Sequence, residues 1–453
     1  MKPTHSRLLL PTLILALAPA PRVVAQTAAP AAVPAGSWFD FGTAPAAFAP
    51  AAKNTAWGQD VLQYIASAPL NQGRVILNQR LRYEGVSQTA VNDSKALTLR
   101  TRIGYETPKW NGFYGLGEFE NTWAINSGSY APYPAPFNGG KAVIADPRNN
   151  ELNQLYVGYS GFNTEVKFGR QDLNLDNQRF VGTVDWRQND QTYDAISVST
   201  KIVNDLALSY TWNWQVDRVY GEDAPLPTLR RFDSNNHFFN LHYTGLPKYG
   251  TLAGYVYYLD LDGAAAAGQP LSSTTYGLYF DGRYKFDSDW AAIYRLEYAV
   301  QADNHDSGPR SFFDSYNNII LGGAYQKIEA GVGYEKLGGD GTRAFQTPLA
   351  TLHAFNGWAD QFLTTPATGL RDYSLWLRAP LPLALSLNTA AHYYTATNTD
   401  STYGREFDVA LSRKFGENFT ATVKLARYWG NGLPQTGVRA DVTKVWFQLE
   451  FNL

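Results

Sequence analysis

The chain has no cysteine among its 453 residues, which excludes disulfides, thiolate metal sites and cysteine nucleophiles. Histidine is scarce: His5, His237, His242, His305, His353 and His392 fall at no metal-ligand spacing, and no H-E-x-x-H occurs. No metal, cofactor or catalytic residue is therefore assigned. Apolar runs are short; after the N-terminus nothing approaches the ~20 residues that a membrane-spanning helix needs. Positive charge is not in excess either. Lys and Arg number 38 against 40 Asp and Glu, so no bias toward nucleic acid exists.

The N-terminus carries an export signal. Lys2, His5 and Arg7 precede an apolar run from Leu8 to Leu17, and Val23-Val24-Ala25 offers small residues where a signal peptidase cuts. Residues 1–25 are expected to be a signal peptide, whose loss takes Lys2, Arg7 and Arg22 from the basic total and leaves 35 against 40 acidic. Residues 26–72 are rich in Ala and Pro up to about Pro50, a composition that builds no packed core, and are expected to form a periplasmic segment.

From 73 to 453 the chain reads as all-β: a transmembrane antiparallel β-barrel of about 18 strands in the bacterial outer membrane. Connector length depends on parity. Tight joins at 108–111, 161–163, 201–205, 244–249, 287–289, 380–382 and 415–417 alternate with long ones at 124–150, 173–191, 218–235, 303–314, 337–370 and 429–440. A barrel explains this, because odd and even connectors leave opposite faces of the bilayer; both termini then face the periplasm. The strands alternate with period two, as lipid-facing and lumen-facing side chains must. Leu206, Leu208, Tyr210, Trp212, Trp214 and Val216 oppose a polar face, and Ala292, Tyr294, Leu296, Tyr298 and Val300 oppose Arg295, Glu297 and Gln301. Aromatics make up 14% of the chain, many near predicted strand ends, where interfacial girdles place them.

Two long motifs carry a family resemblance. KFGRQDLNLDNQRFVGTVDWRQNDQTYDAI (167–196) and FQTPLATLHAFNGWADQFLTTPATGLRD (345–372), the latter after GYEKLGGD (333–340), resemble the alginate export family of outer-membrane barrels. That resemblance implies a passive conduit lined by arginines with interspersed carboxylates, in the best-known case for an anionic polyuronate. The sequence has suitable residues: Arg80 and Arg82 share the polar face of the first strand, and Arg100 and Arg102 that of the second. Glu118 and Glu120 answer from the third, and Arg283 and Arg295 point inward farther along. Guanidiniums suit carboxylate recognition through their planar fork, although a cross-strand ladder bracing the wall uses the same residues. Arg170 and Asp194 match a pore arginine and its neighbouring carboxylate in the family. Strict alternation would send Arg170 outward with Val166 and Phe168, so a bulge at Gly169 is expected to return it to the lumen.

The loop of residues 337–370 is too apolar for a solvated tip. Phe345, Leu352, His353, Phe355 and Trp358 are expected to fold over or into the extracellular mouth and gate it. The expected function is passive passage of hydrophilic, anionic solutes, with an alginate-like polysaccharide as one cargo. The alternative is a lipase-like barrel enzyme acting on lipid or glycan, in which His392 would pair with a serine. Expected partners are outer-membrane lipids, anionic polysaccharide or small solutes and a periplasmic export partner, without nucleic acid; the barrel is expected to be a monomer.

Overall fold

The computed structural model describes residues 73–266, 268–304, 312–432 and 440–453. The signal peptide (1–25) and Ala/Pro segment (26–72) read from the sequence lie outside them. Eighteen antiparallel strands, from Arg74–Gln88 to Val442–Asn452, form one sheet. The first strand pairs with the second on one side and with the last on the other, setting Arg80 beside both Arg100 and Glu450. The sheet is therefore a closed barrel without free edges, the only way a sheet can satisfy its backbone groups in lipid.

Long connectors gather at one end of the barrel. Residues 107–112, 162–163, 204–205, 247–249, 286–289, 326–327, 382–384 and 416–418 make tight turns at one end, the turn at 326–327 being one that the sequence reading passes over. The long segments 125–148, 172–191, 218–230, 260–272 and 338–369 all lie at the other end.

Alternation follows the pleat. Leu208, Trp212 and Leu296 are exposed on the outer wall, while Arg295 and Glu297, one residue either side of Leu296, are buried inside. In the strand Leu206–Asp217 the alternation holds only to Asn213. A register shift between Asn213 and Gln215 re-aims the chain, and Val216, read from the sequence as lipid-facing, is completely buried.

The interior of the barrel is a packed core. Inward tyrosines of the wall meet two long loops, 172–191 and 338–369, that fold back into the lumen. Phe180 of the first packs on Tyr255 and Tyr316, with ring centroids 5.2 and 5.3 Å away, and reaches Phe345 of the second at 6.1 Å. Phe362 packs on Tyr394 at 4.6 Å and on Tyr428 at 6.1 Å. The loops are also laced to each other: the Gly182 amide donates to the Leu349 carbonyl (2.9 Å), and the Thr351 amide to that of Gln178 (3.0 Å). Burying these rings is what drives both loops inward, since eighteen strands enclose more width than wall side chains fill.

Candidate functional site

The four arginines of the first two strands face the lumen, and the loop 172–191 lies across them. Asp185 is the hub. Its carboxylate takes Arg100 (3.0 Å) and Arg102 (3.3 Å), with Arg80 at 3.8 Å, while its backbone carbonyl accepts a hydrogen bond from Arg80 at 2.8 Å. Burial alone would raise the Asp185 pKa; the guanidiniums of Arg80, Arg100 and Arg102 outweigh it and hold the carboxyl well below the usual carboxylate range. The arginines find further partners on the wall and in the loop. Arg80 pairs with Glu450 (3.2 Å), Arg82 donates to Gln448 (2.7 Å), and Arg102 pairs with Glu120 and with Asp190 (2.7 Å).

Consequently the guanidiniums are covered and the carboxylate is not. The side chains of Arg80 and Arg100 are 5% and 2% exposed, that of Asp185 53%. At this level water in the lumen touches Asp185, so the arginines act first as a seat for the loop.

A second polar layer follows the loop. Glu120, Glu151 and Asp190 bring carboxylate oxygens within 4.8 Å of one another, beside Arg102. Burial and the neighbouring carboxylates Glu120, Asp172 and Asp185 push the Asp190 pKa up despite Arg102. For the same reasons, with Glu118 added, Asp172 is pushed up to about 7. Glu118 accepts from Asn153 at 2.7 Å.

The other sequence-predicted residues lie apart from this hub. Arg170 pairs with Asp194 (2.8 Å) and Asp217 (2.6 Å) and shares no carboxylate with Arg80, Arg100 or Arg102. The bulge expected at Gly169 is absent, because both neighbouring registers run through it unbroken. Gly169 adopts a φ of +127°, and a Cβ there would lie 2.3 Å from the Leu155 carbonyl oxygen, but the ladder keeps Arg170 opposite Leu155, which is exposed on the outer wall, while the next residue, Gln171, is buried opposite Tyr193. Arg295 pairs with Asp281 (2.7 Å) and Glu297 (2.9 Å) and lies over Tyr279, while Arg283 pairs with Glu329.

In the loop 338–369, Phe345, His353, Phe355 and Trp358 are buried against the wall and Leu352 is half-buried. His353 Nδ1 lies 2.7 Å from Asp360, and its Nε2 lies 2.7 Å from the Lys424 ammonium. An ammonium only donates, so Nε2 accepts and the proton sits on Nδ1. Burial and Lys424 hold the His353 pKa well below its ordinary value against the pull of Asp360, which keeps the ring neutral.

Asp190, Asp360, Lys424 and Glu450 carry no role in the sequence reading, which places Asp185, with Arg179 and Arg187, at the loop mouth as a solvated or solute-recruiting residue. Glu450 was within reach: it is on the inward parity of the last strand, which closure sets beside the first. The enzyme alternative finds little support. Ser374 lies opposite His392 in register, but His392 Nδ1 is bonded to Asp372 (2.9 Å) and its Nε2 faces Asp408 at 3.9 Å. A triad would instead have Nε2 on the serine hydroxyl.

Comparison with known proteins agrees with this architecture. The profile of the Alginate export family covers residues 125–308. No curated protein sequence matches the chain. Among solved structures it is similar to OccK9 (OpdG) of Pseudomonas aeruginosa, at 15% identity and a TM-score of 0.64 over 85% of this chain and 99% of that one. It is also similar to OccAB2 of Acinetobacter baumannii, at 14% identity and a TM-score of 0.65 over 84% and 98%. Pseudomonas aeruginosa OpdK, solved with vanillate, aligns at 14% identity and a TM-score of 0.62 over 84% and 99%. The chain is an outer-membrane β-barrel with the fold of these porins.

Proposed function

We propose that the protein is a passive channel through which small anionic solutes cross the outer membrane. The observation that carries this reading is the seat of the loop 172–191: a wide barrel is narrowed from inside by a segment held across the lumen through ion pairs from Asp185 to the covered Arg80, Arg100 and Arg102. A barrel without traffic has no need of such a device, whereas a selective pore needs a constriction whose charges are fixed. Anion preference arises at the outer entrance, where Arg187, Arg218 and Lys444 line one cavity with Asp360 as its acid. The loop 338–369 acts as the gate above the constriction. The match to the alginate export family favours a second reading, passage of an anionic polymer, which requires both loops to leave the lumen together.

Planar-bilayer recording tests both. The small-solute reading expects stable ohmic conductance in the wild type, with reversal potentials in a salt gradient on the anion side. It fails if the barrel, correctly assembled, conducts nothing. Deletion of residues 345–366 should raise the conductance, and polyuronate passage seen only in that variant would place the polymer outside the resting state.

A further inference from the structure

A cavity of about 190 Å³ opens between the outer end of the first strand, the two inward loops and residues 218–220. Its walls are mostly apolar: Val86, Val143, Val184, Pro348 and Leu363 contribute to them. Three cationic side chains, Arg187, Arg218 and Lys444, line it as well, and two of these are already neutralised. Asp360 takes Arg187 at 2.8 Å and Lys444 at 2.6 Å on the same carboxylate oxygen, and Arg187 reaches Glu84 at 3.3 Å.

Arg218 differs. Among the described residues no carboxylate lies within ion-pair distance of it. Its guanidinium donates to the Thr228 carbonyl (2.7 Å) and lies 4.3 Å from the Phe232 ring centre and 5.6 Å from that of Tyr220. Burial draws its pKa down, with only Tyr220 acting the other way. A half-buried guanidinium with aromatic rings beside it and no counter-ion, on the wall of a cavity, is an incomplete ion pair.

We infer that this cavity is a binding site for a small monocarboxylate with an apolar body, an aromatic carboxylate above all, with Arg218 as its counter-charge. The inference deepens the channel reading and rests on it. A carboxylate matches the guanidinium fork with two parallel hydrogen bonds. A ring matches the volume, since a cavity of ~150 Å³ accommodates benzene. A uronate fits worse: most of the wall, including Val86, Val143, Val184, Pro348 and Leu363, is apolar and would strip water from its several hydroxyls.

The test uses the full barrel in planar bilayers with sodium benzoate as probe and sodium glucuronate as comparator. Benzoate added on the side of the long loops should reduce the chloride current saturably, and glucuronate at the same concentration should not. Arg218→Gln should raise the half-blocking concentration about tenfold or more, as expected when a charge-assisted bidentate contact is lost. Arg218→Lys should fall between, and Arg231→Gln, at an exposed arginine outside the cavity, should match the wild type. Benzoate titration of the detergent-solubilised protein, followed calorimetrically, reads binding without current. If the barrel conducts but benzoate neither blocks nor binds, or Arg218→Gln leaves its affinity unchanged, the site is refuted while the channel stands. If benzoate binds at Arg218 and nothing conducts, the channel reading falls and the site stands.

Discussion

Trp186 lies flat against His353, with ring centroids 4.6 Å apart and planes 6° from parallel. One ring comes from each inward loop, and cations flank the stack: Arg82 sits 4.2 Å from the Trp186 ring centre and Lys424 4.0 Å from it. A neutral imidazole is what permits this arrangement, since a charged one would face Lys424 across 2.7 Å. Loop seating and loop gating are thus one problem. The arginine hub holds the first loop, and the first loop holds the second through this stack and the paired backbone at Val181 and Leu349.

Trp186→Ala should therefore release both loops while sparing the barrel. Removing a large aromatic from a packed site costs about 3 kcal/mol or more, and here the loss falls on the junction of the loops. Hydrogen exchange should accelerate across 172–191 and 338–369 and remain slow in the strands, and single-channel current should rise with added noise. Unchanged exchange in the loop 338–369 would mean that the two loops seat independently.

Asp185→Asn should shift selectivity further toward anions. The substitution keeps the shape of the side chain and removes the charge that the lumen water touches, leaving Arg80 and Arg100 with Glu450 and Arg102 with Glu120 and Asp190. Reversal potentials in a salt gradient should move in the anion direction, and less so at high ionic strength because of screening. A shift toward cations, or none, would show that permeating ions do not pass this cluster.

Strand placement was legible because lipid imposes a two-sided rule on every residue. Leu296 between Arg295 and Glu297 can point only one way, and the parity of connector lengths supplies the rest. The apolar loop 338–369 betrayed its burial through Phe345 and Trp358 for the same reason. Pairing inside the lumen was not legible. Arg100 finds Asp185 and Glu450 at remote chain positions, and which acid covers which arginine depends on how a loop folds inward. Gly169 shows the limit well: the sequence suggested a bulge that would turn Arg170 inward, but the glycine takes a positive φ, the ladder stays in register and Arg170 stays opposite Leu155.

The outer wall yields a contrast between neighbours. Leu296→Arg places a guanidinium in hydrocarbon at the middle of its strand and should destabilise the barrel by about 2–4 kcal/mol. Arg295→Leu changes the adjacent inward residue in the opposite chemical sense and should also destabilise, by about 3–5 kcal/mol, because Asp281 and Glu297 lose their buried partner. Denaturant unfolding in lipid vesicles reads both. A neutral Leu296→Arg would contradict the lipid-facing placement, and a stabilising Arg295→Leu the buried ion pair.

The seat of the loop 172–191 should loosen as pH rises through the neutral range. Asp172 is pushed up to about 7, by burial first and by Glu118, Asp185 and Glu120, with Arg102 opposing. A free aspartate titrates near ~3.9. Between about pH 4 and 7 the released loop has therefore lost this proton while the seated loop still holds it, so the seated state binds more protons and its stability falls as pH rises. Asp190 acts in the same direction. Asp185 acts in the other: its depressed pKa stabilises the seat above about pH 4, and that contribution disappears only on acidification below this point. Amide exchange in 172–191, corrected for intrinsic rates, should accordingly be slower at about pH 5 than at about pH 7, by at most about tenfold per pH unit for each group. Asp172→Asn should flatten the profile without abolishing the slope left by Asp190. Protection that grows with pH across this window in the wild type would mean that Asp172 is ionised in the seated loop and that the carboxylates around Arg102 are balanced by charge alone.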